Sequence, residues 1–158
     1  MKKLKKLIAV GGLCALLSGC MPLNSATPSY IKQVTSYKAG SDGLVIYIIL
    51  ADSSGAMTTA SGALDLTISE TKNEYSNPGG FTERKSRLFS ASLSVQRSTF
   101  QKAKVGLGAF EHEVILLSLG RIAYSSFSAA PKEMTGKILV EFRTEDGHLL
   151  KGESTVFF

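Results

Sequence analysis

The sequence lacks tryptophan altogether and contains only two cysteines, Cys14 and Cys20. Two cysteines are too few for a fold that depends on several disulfides. Charged residues make up 20% of the 158 residues and hydrophobic residues 44%, a balance that excludes an intrinsically disordered chain. No uncharged apolar run reaches the roughly 20 residues that a membrane-spanning helix needs. The length indicates a single globular domain.

The N-terminus has the pattern of a secretory leader. Lys2, Lys3, Lys5 and Lys6 precede an uncharged apolar run at residues 7–17. This run has no polar face, which a helix packed on a core would need. A positive segment followed by a short apolar core and small residues is typical of a signal peptide.

The leader ends in Leu17-Ser18-Gly19-Cys20, which resembles the lipobox of bacterial lipoproteins. The resemblance implies that residues 1–19 are removed and that Cys20 becomes the lipidated first residue of the mature chain. Several acyl chains hold a domain at a membrane surface, whereas one chain anchors it only marginally. Met21, where inner-membrane lipoproteins often have Asp, implies the outer membrane if the source is Gram-negative, with the domain facing the periplasm or the exterior.

Loss of the leader changes the charge balance of the protein. The full chain has 18 Lys and Arg, and removing the four leader lysines leaves 14 against 13 Asp and Glu, a net charge of +1 instead of +5. This small excess gives no support to a nucleic-acid partner. With Cys14 removed and Cys20 lipidated, no thiol remains for a disulfide, a metal or a nucleophile.

Residues 20–29 contain two prolines among small polar residues and predict a lipidated tether, followed by one domain at residues 30–158. Within the domain, apolar residues recur at every second position in residues 64–69, 89–96 and 137–143, as in strands with one buried face. Residues 44–50 are apolar throughout, which favours a central strand. Residues 114–119 and 121–127 are two further candidate strands, and Asp146-Gly147 predicts a hairpin turn. Residues 100–110 are ambiguous.

These segments predict an all-β fold, a single sandwich of about seven or eight antiparallel strands. The layout resembles immunoglobulin-like or fibronectin-III-like sandwiches of bacterial envelope proteins, and residues 136–158 resemble their final strand pair. The Cys…Trp…Cys signature of a true immunoglobulin domain is absent from the sequence.

Catalytic and metal-binding motifs are weak in this sequence. His112 lies between Glu111 and Glu113, but neighbouring side chains of a strand point to opposite faces, so the three would not meet on one ion. His148 stands alone. No Gly-x-Ser-x-Gly motif occurs, although a spatial triad with either histidine stays open. We therefore expect no enzyme activity, no metal and no cofactor.

The segment at residues 70–87 shows no strand periodicity and is predicted to be a long loop. Loops of this length are usually functional or disordered. Its aromatic and basic residues have the composition of a contact patch, and the candidate contact residues are Tyr75, Phe81, Arg84, Lys85 and Arg87. The basic residues are also suited to anionic lipid headgroups, and the alternative is a solvated connection with Phe81 tucked beneath it.

The sequence thus predicts a membrane-anchored envelope lipoprotein that acts as a non-catalytic binding or structural module for an envelope protein. The alternative is a binder of a small envelope ligand, such as a glycan or lipid fragment, in a pocket of the sandwich. A hydrolase that uses a serine with His112 or His148 is a third possibility.

Overall fold

A computed structural model describes residues 26–76, 79–105 and 111–158. The leader, Cys20, the first part of the tether and residues 106–110 lie outside the described residues. The described part forms nine strands and no α-helix, so it contains no helix able to span a membrane. The strands are β1 (Tyr30–Lys38), β2 (Gly43–Ala51), β3 (Met57–Thr58), β4 (Gly62–Ser76), β5 (Gly80–Val95), β6 (Phe100–Val105), β7 (His112–Ala123), β8 (Thr135–Thr144) and β9 (Leu149–Phe157).

The strands pair into two antiparallel sheets. Sheet A has the order β1-β2-β7-β6, with the short β3 alongside the end of β2, and sheet B has the order β5-β4-β8-β9. In immunoglobulin constant-type sandwiches the two sheets read ABED and CFG. Here β1, β2, β7 and β6 reproduce the first order, and β4, β8 and β9 reproduce the second, with β5 as an added edge strand. The predicted all-β sandwich is confirmed.

The core lies between the sheets, and on β4 and β8 it follows the predicted alternation. On β4 and β8 the inward side chains are Leu64, Leu66, Ile68, Ile138, Val140 and Phe142, and all are almost completely inaccessible. On β2 the inward side chains are Leu44, Ile46, Ile48 and Leu50. Full burial of a side chain of this size contributes about 1.5–3 kcal/mol, so this layer is the main source of stability.

Two predicted short strands are one strand in the structure. Residues 114–119 and the first residues of 121–127 belong to β7, and a 3₁₀ turn, Tyr124–Ser126, follows it. Gly120 lies between the two predicted segments, and its φ of +69° allows a bulge within one continuous strand. The register with β2 shifts there, from Ser118 opposite Tyr47 to Arg121 opposite Val45. The strand therefore bends without ending.

The predicted hairpin turn at Asp146-Gly147 is confirmed. The carbonyl of Thr144 accepts a hydrogen bond from the Gly147 amide at 2.9 Å, and Gly147 has a φ of +90° that favours glycine. After β2, the Asp52 carboxylate accepts hydrogen bonds from the amides of Ser54 and Ala56, which is a turn held by a side chain. In the ambiguous segment, residues 100–105 form strand β6.

Candidate functional site

The prediction of a loop at residues 70–87 is wrong, because residues 70–76 and 80–87 belong to strands β4 and β5 and form the distal half of their hairpin. Strand β8 pairs with β4 only up to Gly136 opposite Glu70. Beyond that point β4 pairs only with β5, from Thr71 opposite Lys85 to Ser76 opposite Gly80. We call residues 71–76 and 80–85 the arm. At about 3.3 Å per residue the arm extends roughly 20 Å beyond the point where β4 loses its pairing with β8.

The arm lacks hydrophobic alternation because neither of its faces covers a core. Every arm residue whose burial is described is exposed or half-buried. A bulge marks its base, since the register shifts between Ile68 and Ser69 and Leu88 of β5 turns into the core with 3% exposure. A bulge bends a strand and increases its twist. The hairpin therefore leaves the sandwich where its buried pattern stops.

Hydrogen bonds from the segment that precedes β8 hold the base of the arm. The Glu70 carboxylate accepts hydrogen bonds from the backbone amides of Lys132 at 2.8 Å and Glu133 at 3.3 Å. On the opposite strand, the Ser128 amide donates to the Leu88 carbonyl at 2.7 Å. These contacts tie both strands of the hairpin to the segment before β8, so the base of the arm is positioned by the sandwich.

Two aromatic rings stand at the tip of the arm. Tyr75 and Phe81 are directly opposite each other on β4 and β5, and their rings meet edge to face with centroids 5.2 Å apart. Tyr75 is 68% exposed and Phe81 is 79% exposed. Phe81 is therefore not tucked beneath a loop. Aromatic residues are enriched in protein interfaces, and tyrosine is among the residue types that carry much of their binding energy.

The structure brings some of the predicted contact residues together and separates others. By the alternation of the strands, Tyr75, Phe81, Lys85 and Arg87 lie on one face, the outer face of sheet B. Arg84 lies on the opposite face. The aromatic pair and the two outer-face cations form a single surface, whereas Arg84 would meet a partner only if the partner wraps around the arm.

Ion pairs neutralise most of the arm. Glu74 pairs with Lys72 at 3.2 Å and with Arg84 at 3.8 Å, and Glu83 pairs with Lys85 at 3.8 Å and with Lys137 of β8 at 3.7 Å. Exposed pairs of this kind contribute about 0–1 kcal/mol each. They order long side chains around the tip more than they stabilise the fold.

A second concave surface, which the sequence analysis missed, lies on the outer face of sheet A. It encloses about 900 Å³. Its apolar floor comes from strand positions between the core residues, namely Val45, Tyr47, Ile49, Val114 and Leu116, and polar groups line it as well, among them Gln33, Thr35, Gln101 and Ser118. The signal was present in the sequence, because a strand that is apolar on both faces has a second face to cover.

The carboxylates on either side of His112 pair with lysines of the neighbouring strand. Glu113 pairs with Lys102 at 3.2 Å and Glu111 with Lys104 at 4.0 Å, so both carboxylates are directed at lysines of β6. His148 lies in the β8–β9 turn with its Nε2 atom 3.7 Å from the Asp146 carboxylate. Within the described ranges, no three His, Cys, Asp or Glu side chains group as a metal site would require.

Comparisons with known proteins give one remote similarity. No protein-family model matches the chain, and no curated protein matches it. Among solved structures it is similar to MtrC from Shewanella baltica OS185, with a TM-score of 0.45 and 7% identity, over 80% of this chain and 21% of that one. The chain thus spans about a fifth of MtrC. A similarity at this level carries no argument about function.

Two surfaces therefore remain as candidates for function. The arm offers an exposed aromatic pair with cations behind it, which suits contact with another macromolecule. The concave face of sheet A offers an apolar floor with hydrogen-bonding side chains around it, which suits a small ligand.

Proposed function

We propose that this protein is a membrane-anchored envelope lipoprotein whose arm binds a protein partner without catalysis. The single observation that supports the partner site is the exposed Tyr75–Phe81 pair at the end of a projecting, structured hairpin. Exposed aromatic residues on a defined scaffold lose little conformational entropy on binding and bury a large apolar area. The proposed anchor is the lipid on Cys20, on the strength of the lipobox resemblance.

The positions of the two ends support a division between anchoring and binding. Thr27 and Pro28 lie beside Thr144 and Glu145, at the end of the sandwich where β4 begins. The arm tip is at the other end of β4, which at about 3.3 Å per residue is roughly 45 Å away. An anchored domain would therefore present its aromatic pair far from its own lipid. This separation favours a protein partner over headgroups next to the anchor.

Metabolic labelling with radioactive palmitate tests the anchor. We expect label in the full-length wild-type chain and its loss in Cys20→Ala, because the lipobox cysteine accepts the acyl groups. Cys14→Ala is the matched control and should keep the label, since Cys14 lies within the removed leader. Label retained in Cys20→Ala would refute the anchor.

Affinity capture from membranes tests the arm. We expect Phe81→Ala to lower recovery of the co-purifying protein at least tenfold, because truncation of a side chain that dominates an interface costs about 2 kcal/mol or more. Phe157→Ala is the control, since Phe157 is also 66% exposed but lies on β9. Equal capture by wild type, Phe81→Ala and Phe157→Ala would overturn the assignment of the arm.

The concave face of sheet A favours a second candidate, the binding of a small envelope ligand. Tyr37 and Tyr47 lie there with ring centroids 5.9 Å apart. If a glycan or lipid fragment binds this face, NMR titration with soluble muropeptides or a short-chain phospholipid will shift Tyr47 and Leu116 signals and leave Leu139, on sheet B, unchanged. No shift at millimolar ligand would eliminate this candidate.

A further inference from the structure

The outer edge of β5 contains an unpaired stretch with defined ends, residues 89–95, which we call the free edge. It begins after Leu88, whose carbonyl already accepts the Ser128 amide at 2.7 Å. It ends before Gln96, whose carbonyl accepts the Thr99 amide at 3.0 Å in a 3₁₀ turn. In the described part of the chain, no backbone hydrogen bond reaches the free edge from outside sheet B. Every second residue of such an edge presents an N–H and a C=O to solvent.

The other edge strands are protected against pairing, and the free edge is not. Natural sheets protect their edges with charged residues, especially lysine, and with bulges. Strand β6 carries Lys102 and Lys104, β9 carries Lys151 and Glu153, and β1 has a register shift beside Lys32. The free edge, Phe-Ser-Ala-Ser-Leu-Ser-Val, contains no charge, no proline and no register shift. This difference singles out one edge of four.

The side chains of the free edge leave an apolar row incomplete. Phe89, Ala91 and Leu93 lie on the inward face, opposite Ile68, Leu66 and Leu64 of β4. Leu64 is fully buried, whereas Leu93 is 40% exposed because no strand lies beside it. An added strand would cover Leu93 and extend the inner face of sheet B.

We propose that the free edge pairs with the free edge of a second copy of this chain, antiparallel, about a two-fold axis at Ser92. The segment is self-complementary in this register, since apolar and serine positions alternate symmetrically around Ser92. Ala91 lies opposite the partner's Leu93, which matches a small side chain with a large one, and Ser90 lies opposite the partner's Ser94. A self-complementary patch is what an isologous dimer requires.

The pairing sets the shape of the dimer. Antiparallel strands place the two arms at opposite ends, so the dimer presents two aromatic pairs pointing away from each other. Seven residue pairs make a small interface, which is typical of weak, transient association.

Disulfide crosslinking of the full-length chain in its own membranes tests this register. Residues directly opposite in antiparallel strands have Cα atoms about 4.5–5.5 Å apart, within the range that a disulfide bridges. We expect Ser92→Cys to form a covalent dimer on mild oxidation. Ser90→Cys and Ser94→Cys should not, because each residue faces a different position of the partner. Thr155→Cys on β9 is the control for random collision, and the parental chain is the control for Cys14 and Cys20.

A second pair of variants tests the edge itself. Leu93→Lys in the Ser92→Cys background adds the kind of charge that protects the other edges, and we expect at least tenfold less dimer. Leu139→Lys is the matched control, since Leu139 is 41% exposed on the central strand β8. This variant should leave the amount of dimer unchanged. The proposal is overturned if Ser92→Cys gives no dimer in a protease-resistant chain, if all four cysteine variants crosslink alike, or if Ser92→Cys crosslinks to a different protein.

Discussion

At the scale of single residues, Tyr124 packs its ring against other aromatic residues but leaves its hydroxyl without a hydrogen bond in the part of the chain that the structure describes. Its ring meets Phe127 edge to face at 5.3 Å and Phe158 at 6.3 Å. Its hydroxyl oxygen is buried with no hydrogen-bond partner among the described residues. Burial, and then the negative charge of Asp42, raises the pKa of Tyr124 above its usual value. The folded state therefore holds this proton more tightly than the unfolded state does.

We predict that Tyr124→Phe leaves the free energy of unfolding at pH 7 unchanged or raises it by up to about 1 kcal/mol, because it removes an unsatisfied polar group and keeps the ring. Because the pKa of Tyr124 is raised, its contribution to the stability of wild type is fully present below pH about 10. Wild type loses this contribution as the pH rises through the pKa of the folded state. Urea unfolding at pH 7 and pH 11 measures both effects. Tyr124→Leu, which removes the ring contacts, should be destabilised, and a large loss in Tyr124→Phe would contradict the prediction.

Asp146 affects stability with the opposite pH dependence, because its pKa is lowered and not raised. The hydrogen bond from the Thr144 hydroxyl is the main cause that lowers the pKa of Asp146, and His148 adds to it. A lowered pKa contributes stability above pH about 4 that is lost as the pH falls through the pKa of the folded state. NMR titration of the Asp146 carboxyl should show the pKa return toward its usual value in Thr144→Val. An unchanged value would mean that another group sets this pKa.

At the scale of elements, the contact of β4 with β8 depends on Gly62. A Cβ atom at Gly62 would lie 2.2 Å from the Arg143 carbonyl oxygen and 3.0 Å from the Thr144 Cα atom. The backbone on the other side cannot move away without breaking the ladder that continues from Gly62 to Glu70. The requirement for glycine is therefore steric, since the φ of Gly62 is not positive.

We predict that Gly62→Ala lowers the free energy of unfolding by about 1–3 kcal/mol, the usual cost of overpacking. Chemical denaturation measures this loss, with Ala63→Ser on the same strand as the control because Ala63 is exposed. A loss in Gly62→Ala no larger than that in Ala63→Ser would show that the two strands separate freely at this end.

At the scale of the whole molecule, the arm and the sandwich are separable. The register places Glu70 opposite Ser86, so residues 71–85 can be replaced by a two-residue Asn-Gly turn that continues the hairpin. We predict that the free energy of unfolding of this variant lies within about 1 kcal/mol of that of wild type, because exposed ion pairs contribute little. It should also lose the protein partner in the capture assay. Unfolding of the shortened chain would show that the arm belongs to the core.

The limits of sequence-based prediction follow from the same contrast. Leu64, Leu66 and Ile68 alternate because one face of β4 covers the core, and this pattern identified the strand. Residues 71–76 of the same strand cover nothing, so they have no alternation and were predicted to be a loop. Their strand conformation comes from pairing with β5, which propagates from the buried half of the hairpin. The aromatic pair was identified by residue type, but its geometry required the register.

By itself, the sequence determined the all-β class, the inward positions of β4 and β8, and the turn at Asp146-Gly147, because alternation and turn chemistry are local properties of the chain. Only the tertiary structure decided that β2 lies between β1 and β7, that the outer face of sheet A is concave, and that β5 is left with an unprotected edge. These features depend on which distant strands become neighbours, and strand pairing brings together backbone groups whose partners no local pattern specifies.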